Sequence, residues 1–317
     1  MGVRVDRDVT AFGGEHAIRL SNGEVEVLAS TDYGPRILRY AFREHENVFG
    51  FVAPAEESYA TPYGEAWHPY GGHRLWHAPE HPVRTYIPDN SPVRADIDDE
   101  DNSLLLSQGA EKPTGLAKAL RVVLSERGSR VVVTHWIRNV GDGPVDLAPW
   151  AVSLMAPGGT ALLPNPPFAP HPAALLPSAR LVTWPYTTLA DPRFRFGWGF
   201  VRVTQDPTAS SPQKIGLLDT HNGWAAYSRG DTLFVKRYPL ATPDAPLVDL
   251  GCNVELFTNA RFLELETLGP VTTLAPGDMV EHVETWELFE RMAIPDDDEA
   301  TGKVLADALD DPRLNRI

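Results

Sequence analysis

The chain has 317 residues, of which 43% are hydrophobic, and its 43 acidic and 28 basic side chains give a formal net charge of −15. A chain of this length can bury a large core without disulfides or structural metals. Its negative charge repels nucleic-acid phosphates and anionic lipid, so neither nucleic acid nor a membrane surface is expected as a partner. The single cysteine, Cys252, cannot form an internal disulfide, which indicates a reducing compartment.

The amino terminus carries charged residues where a secretory signal needs an apolar run, and the sequence has no span of about 20 apolar residues. These two features predict a soluble, cytoplasmic protein.

The sequence predicts many short β-strands, because 29 prolines and 25 glycines divide it into segments too short for long helices. β-Branched and aromatic residues are concentrated in the segments between these turns, as is typical of strands. The predicted strands, in chain order, are 24–29, 104–107, 120–125, 130–138, 223–227, 232–237, 253–258, 262–267 and 280–289.

Two segments differ from the strand pattern. Residues 163–177 are rich in proline and predict a long ordered surface loop. Residues 292–317 form an acidic tail in which 300–309 predicts one short helix. We therefore expect one β-sandwich domain over residues 1–291, followed by this tail.

Three motifs follow one another near the carboxyl terminus. They are Phe262-Leu263-Glu264-Leu265-Glu266-Thr267, Leu274-Ala275-Pro276-Gly277-Asp278 and His282-Val283-Glu284-Thr285-Trp286-Glu287-Leu288-Phe289. Together they resemble the end of the aldose 1-epimerase (galactose mutarotase) family. The family has a Leu-Glu-Thr strand, a Leu-x-Pro-Gly-Glu turn and a His-x-Thr-x-Tyr-x-Phe strand in the same order. Residues 254–259 resemble the family strand that precedes these motifs, and three weaker matches lie at residues 27–37, 71–75 and 139–153. The resemblance implies an all-β, galactose mutarotase-like β-supersandwich with a concave site for a monosaccharide or sugar derivative.

The resemblance implies roles for two residues of this chain. Glu266 matches the family's general base, which takes the proton from the anomeric hydroxyl. Arg74 matches its substrate-binding arginine, whose donors can hold sugar oxygens. Glu264 lies two residues before Glu266, so on a strand it shares the same face and is a second candidate for the site.

One position departs from the family. Trp150 stands where the family has the histidine that acts as general acid, and an indole cannot deliver a proton at neutral pH, although its face can stack on a sugar ring. His73 and His77 are the substitute acid candidates. The run His68, His73, His77 and His81 also permits a metal interpretation, but glycines and prolines within it argue against aligned ligands. We expect no metal and no cofactor.

Further ligand-binding candidates come from a turn and a strand. Asp219 and His221 lie near the family's sugar-binding aspartate, although Asn222-Gly223 is also typical of an ordinary hairpin. Lys236, if it points into the cleft, would favour an acidic or phosphorylated sugar. The tryptophans that could stack on a sugar are Trp67, Trp76 and Trp184.

The sequence therefore predicts an epimerase that opens and closes a sugar ring by acid–base chemistry. A sugar-binding protein without catalysis is one alternative, and a lyase or hydrolase on the same fold is the other.

Overall fold

The computed structural model describes residues 2–242, 244–311 and 314, and within them the chain forms two large antiparallel sheets and one α-helix. The first sheet contains, in spatial order, β1 (Arg4–Thr10), β2 (His16–Ser21), β3 (Val25–Ser30), β4 (Arg36–Phe42), β6 (Tyr70–Ala78), β11 (Val145–Met155), β20 (Leu263–Leu268), β19 (Val254–Thr258), β16 (Gln213–Leu217) and β13 (Leu181–Thr183), with β5 (Phe51–Val52) beside β6 and β21 (Thr272–Leu274) beside β11.

The second sheet contains β14 (Phe194–Phe196), β15 (Phe200–Thr204), β12 (Thr160–Pro164), β17 (Trp224–Arg229), β18 (Thr232–Arg237), β22 (Met279–Phe289), β10 (Val131–Asn139), β9 (Leu116–Leu124), β8 (Ser103–Ser107) and β7 (Arg94–Asp98). A short 3-10 helix spans Phe12–Gly14, and the helix α1 spans Asp298–Leu309. Each predicted strand coincides with an observed strand to within four residues at either end, and the predicted all-β architecture is confirmed.

The main hydrophobic core lies between the two sheets. Burial alternates along β9 and β10, as expected for strands with one face on a core and one face toward solvent. The inward side chains of the second sheet, such as Val122 and Val133, belong to the same buried cluster as Leu256, Leu263 and Leu265 of the first. The odd-numbered residues at the start of β20 therefore face the core, and its even-numbered residues face the opposite side of the sheet.

The start of β6 passes unusually close to its neighbours. Gly71 and Gly72 have φ values of 99° and 68°, in the left-handed region that favours glycine. A Cβ atom at Gly71 would lie 2.2 Å from the carbonyl oxygen of Gly50, and one at Gly72 would lie 2.2 Å from that of Ile37. The two glycines thus permit the close approach from which β6 continues through residues 73–78.

The acidic tail packs on the outer surface of the second sheet. Asp297 caps α1 by accepting a hydrogen bond from the Ala300 backbone N–H. Leu305 and Leu309 of the helix are buried in one cluster with Trp224 of the second sheet. Among the described residues, the 12-residue α1 is too short to cross a membrane.

Candidate functional site

The candidate site lies on the outer face of the first sheet, where β20 presents Glu264 and Glu266. Glu266 is paired in register with Val152 of β11 on one side and with Glu255 of β19 on the other. Val152 is in turn opposite Arg74 of β6. Residues directly opposite one another in an antiparallel sheet share a face, so the arginine and the glutamates lie on one surface.

A cleft of about 280 Å³ covers this part of the sheet. Its wall combines aromatic rings with charged groups, as is common for ligand sites. The lining residues are Tyr59, Trp67, Pro69, Arg74, Trp76, Glu80, Tyr86, Trp150, Tyr186, Pro212, Lys214, Phe257, Asn259, Phe262 and Glu264. A larger depression of about 540 Å³ lies between residues 44–48 and 227–232, but half of its lining residues are exposed, and the rings that line it are those of His45 and Tyr227.

Glu266 lies in the sheet beneath the cleft and is only 1% exposed. Its Oε2 atom accepts two hydrogen bonds, one from Trp150 Nε1 at 2.8 Å and one from Lys214 Nζ at 3.0 Å. Its Oε1 atom is buried and has no hydrogen-bond partner among the described residues. Buried polar atoms are normally hydrogen-bonded, so an unpartnered carboxylate oxygen marks a position able to accept a bond from a ligand.

Lys214 reaches this carboxylate from β16 and is itself 4% exposed. Its Nζ atom lies 2.7 Å from Glu255 Oε2 and lies 4.8 Å from the ring centroids of both Trp150 and Trp184. Burial alone would lower the pKa of Lys214, but the two carboxyl groups raise it well above its usual value. The lysine is therefore held as an ammonium ion at the wall of the cleft.

Arg74 and Glu264 form a second ion pair at the cleft, with Arg74 Nη2 donating to Glu264 Oε1 at 3.0 Å. The guanidinium lies 4.0 Å from the ring centroid of Trp76, and its Nε and Nη1 atoms have no partner among the described residues. Burial raises the pKa of Glu264, and the neighbouring Arg74 opposes that rise. The pair thus combines a fixed positive charge with two donors that are available to a ligand.

His73 lies on the opposite face of β6 from Arg74, between the two sheets. Its Nε2 atom is 2.6 Å from Nε2 of His135, and its Nδ1 atom is 2.8 Å from Ser153 Oγ. His135 Nδ1 lies 2.8 Å from the carbonyl oxygen of His282 and must donate to it, so in neutral rings His73 donates to His135. Burial lowers the pKa of both rings, which keeps them neutral. His73 is therefore enclosed away from the cleft, where it cannot give a proton to a ligand.

Lys236 belongs to the same interlayer region and does not line the cleft. It is fully buried, lies 3.1 Å from Glu284 Oε1 and donates to the carbonyl oxygen of Leu265 at 3.2 Å. His73, His135 and Glu284 present nitrogen and oxygen atoms within 4.8 Å of one another, the separation expected of metal ligands. The two ring nitrogens already share a hydrogen bond, however, and the Lys236 ammonium beside Glu284 would repel a cation. Mutual pairing accounts for this cluster without a metal ion.

His77 also lies on the inner face of β6 and is 0% exposed. Neither ring nitrogen has a hydrogen-bond partner among the described residues. Burial lowers the pKa of His77 to about 3, so the ring is neutral at physiological pH. Its position, like that of His73, separates it from the cleft, and a different proton donor is needed there.

Asp219 organises a turn outside the cleft. Its carboxylate accepts the backbone N–H groups of His221, Asn222 and Gly223, together with the hydroxyl of Tyr238. The Nδ1 atom of His221 lies 2.8 Å from Thr220 Oγ1. These contacts are those of a side-chain-capped turn that carries the chain from β16 of the first sheet to β17 of the second, so the hairpin expected at Asn222-Gly223 is wrong. Neither Asp219 nor His221 lines the cleft.

Two of the four histidines in the run 68–81 lie elsewhere again. The Nδ1 atom of His68 lies 3.3 Å from the carbonyl oxygen of Glu57, and the Nδ1 atom of His81 accepts the backbone N–H of Val83. The run is therefore divided between separate surroundings, with His73 and His77 inside the sandwich.

Sequence reasoning missed Lys214, which donates to Glu266, and Glu255, which is paired with Glu266 in register. Neither belongs to a recognisable motif, and Lys214 is 52 positions from Glu266 in the chain. The only signal was the pair of charges within otherwise apolar strand segments, because charged side chains are rarely buried without a partner. Trp67 and Trp76, considered as stacking residues, do line the cleft.

Comparison with known proteins gives structural matches only. No protein-family model matches the chain, and no curated protein sequence matches it. A proposed aldose 1-epimerase from Klebsiella pneumoniae superimposes with a TM-score of 0.61 at 13% identity, covering 99% of this chain and 87% of that one. A proposed mutarotase from Salmonella typhimurium gives 0.53 at 11% identity, covering 90% and 97%.

A TPR-domain containing protein from Parabacteroides distasonis also matches, with a TM-score of 0.58 at 14% identity. The match covers 89% of this chain but 49% of that one, so the chain spans about half the length of that protein. A galactose mutarotase-like protein from Lactobacillus casei gives 0.52 at 11% identity, with coverages of 86% and 100%. The architecture and these matches define the class: the chain has the galactose mutarotase-like fold, shared with structures described as aldose 1-epimerases and mutarotases.

Proposed function

We propose that the chain binds a monosaccharide in the cleft and accelerates the opening and closing of its pyranose ring, as an aldose 1-epimerase does. The observation that carries this proposal is the unpartnered, buried Oε1 atom of Glu266, whose other carboxylate oxygen bonds to the cleft-lining residues Trp150 and Lys214. Glu266 is also the residue that matches the family's general base. A base needs an acceptor atom that is not already occupied, and Oε1 meets that requirement.

Lys214 is the proton donor in this proposal, in place of His73 or His77. Glu266 Oε1 takes the proton of the anomeric hydroxyl while Lys214 Nζ gives a proton to the ring oxygen. The bond between the anomeric carbon and the ring oxygen breaks, and a carbonyl group forms. Closure on the other face of the carbonyl returns both protons, so the reaction consumes no co-reactant.

The contact between the two groups links their proton transfers. While Glu266 is ionised, its negative charge holds the proton on Lys214 across a distance of 3.0 Å. When Glu266 becomes neutral by accepting the sugar's proton, that attraction disappears and Lys214 becomes a stronger acid. The donor is therefore activated at the moment at which the ring oxygen needs a proton.

The charges of the cleft favour an uncharged sugar. Its two described cations, Arg74 and Lys214, are each paired with a carboxylate at 3.0 Å. A phosphate or carboxylate on the ligand would meet Glu80 and Glu264 without an unpaired positive charge to offset them. The rings of Trp76 and Trp150 instead offer faces for the C–H side of a pyranose.

A sugar-binding protein without catalysis is the second candidate, and the 1% exposure of Glu266 favours it. A base so deeply buried needs movement of the side chains above it before it can touch a ligand. Binding to the cleft wall alone needs no such movement.

Anomer exchange of a panel of uncharged aldoses, followed by NMR or polarimetry, tests the proposal. We expect acceleration over buffer that falls by about 10²- to 10⁴-fold in Glu266→Gln, the usual range for a positioned acid or base. Glu281→Gln, an exposed position on β22, is the matched control and should exchange like the wild type. Sugar binding with exchange no faster than buffer would favour the binding protein, and equal rates in wild type and Glu266→Gln would reject Glu266 as the base.

A further inference from the structure

Glu255 is a fully buried carboxyl group that the acid–base steps above do not use. It is 0% exposed, and its Oε2 atom lies 2.7 Å from Lys214 Nζ. Its Oε1 atom accepts a hydrogen bond from Cys252 Sγ at 3.1 Å, and the nearby Asp249 carboxyl group raises the pKa of Glu255. Glu255 therefore connects the lysine of the cleft to the turn that precedes β19.

The surrounding backbone is shaped to hold this carboxyl group. A Cβ atom at Gly216 would lie 2.7 Å from Cys252 Sγ, so glycine at this position leaves room for the thiol that donates to Glu255. Asp249 and Leu250 have φ values of 49° and 58°, a conformation that costs free energy for residues with side chains. Arg180 Nη1 donates to the carbonyl oxygens of Leu250 and Gly251, which holds this turn in place.

The charged and titratable groups near Glu255 come from four elements. They are Lys214 of β16, Glu266 of β20, Asp249 with Cys252 of the preceding turn, and Tyr186 from the segment after β13. One ammonium ion is thus shared by two buried carboxyl groups. Burial, with Glu266 and Asp249 nearby, raises the pKa of Glu255 to about 8 against the opposing effect of Lys214.

We propose that Glu255 is a positioning residue that holds Lys214 against Glu266 while itself protonated, and that loss of its proton stops Lys214 from acting as a donor. The proposal rests on the function proposed above. With Glu255 neutral, Lys214 interacts with one carboxylate and releases its proton once Glu266 is neutralised. With Glu255 ionised, a second negative charge 2.7 Å away keeps the proton on the lysine.

The first arm of the experiment compares the pH dependence of anomer exchange in the wild type and in Glu255→Gln, whose amide cannot ionise. The wild type should lose activity as pH rises through about 8. In Glu255→Gln this loss should move to higher pH by at least about one unit, because the second carboxylate can no longer form. Glu281→Gln should keep the wild-type profile. An unchanged alkaline limb in Glu255→Gln would overturn the proposal.

The second arm measures the retained proton without any substrate. Between about pH 4.5, the ordinary value for glutamate, and about pH 8, the folded chain keeps a proton on Glu255 that the unfolded chain has released. Rising pH therefore destabilises the wild type relative to Glu255→Gln across this window, so its melting temperature should fall further between pH 5 and 8. If the melting temperatures of the wild type and of Glu255→Gln change with pH in the same way, the proposal is overturned even if exchange is fast. If the two melting temperatures diverge with pH but the protein shows no exchange activity, the retained proton is supported and the epimerase function is rejected.

Discussion

Replacing Lys214 by methionine tests whether the buried ion cluster is arranged as described. Methionine keeps most of the side-chain volume but removes the ammonium that lies 2.7 Å from Glu255 and 3.0 Å from Glu266. Both carboxyl groups are at most 1% exposed, so water cannot replace the lost partner. Removing one member of a buried ion pair typically costs about 3–5 kcal/mol.

The protein can limit that cost by protonating the stranded carboxylate, which makes the loss depend on pH. An ordinary glutamate titrates near pH 4.3, and each pH unit above that value adds about 1.4 kcal/mol to the cost of protonation. The maximum loss of folding stability caused by one stranded carboxylate is therefore about 4 kcal/mol at pH 7.3 and about 1.4 kcal/mol at pH 5.3. The destabilisation of Lys214→Met should shrink accordingly as the solution becomes more acidic.

Urea unfolding at both pH values, followed by tryptophan fluorescence and by circular dichroism, measures the two free energies. Lys303→Met is the matched control, because Lys303 pairs with Glu299 on the exposed surface of α1 and its loss should leave stability near that of the wild type. A loss of the same size at both pH values, or none at pH 7.3, would refute the arrangement of charges around Lys214.

Two further predictions concern β6. Arg74→Ala should weaken sugar binding by about 10- to 100-fold in calorimetric titration, the scale of one charge-assisted hydrogen bond, whereas the exposed Arg138→Ala should bind normally. An unchanged affinity in Arg74→Ala would place the ligand elsewhere. His77→Leu should raise the free energy of unfolding by about 1–3 kcal/mol, because it removes a buried ring whose nitrogens lack partners. A lower free energy of unfolding for His77→Leu than for the wild type would contradict this prediction and show that the His77 ring stabilises the fold.

Nine strands could be predicted because each of them carries its own local signal. β10 and β22 alternate buried and less buried positions along their whole length, and Thr232–Arg237 was predicted to its last residue. β6 was not predicted, since Gly71 and Gly72 read as turn residues. Their real function is to let the strand pass close to the backbone at Gly50 and Ile37.

Because β6 was not recognised as a strand, the faces on which its side chains lie could not be predicted. Had β6 been recognised as a strand, its period of two would have placed His73 and His77 on the face opposite Arg74. No local rule could have paired Lys214 with Glu266, because Glu266 lies two strands away, beyond β19. Contacts of this kind depend on strand order, which a pattern of short strands does not specify.

The two faces of β20 restrict how this protein can be changed by evolution or by engineering. Glu264 and Glu266 point toward the cleft, while Thr267 on the other face bonds to Glu284 and His282 between the sheets. A slip of one residue would turn both carboxylates into the apolar interior and the leucines toward water. Insertions between Thr258 and Leu263 should therefore be rejected, and variation in ligand preference is best sought in the loops that carry Tyr59, Tyr186 and Pro212.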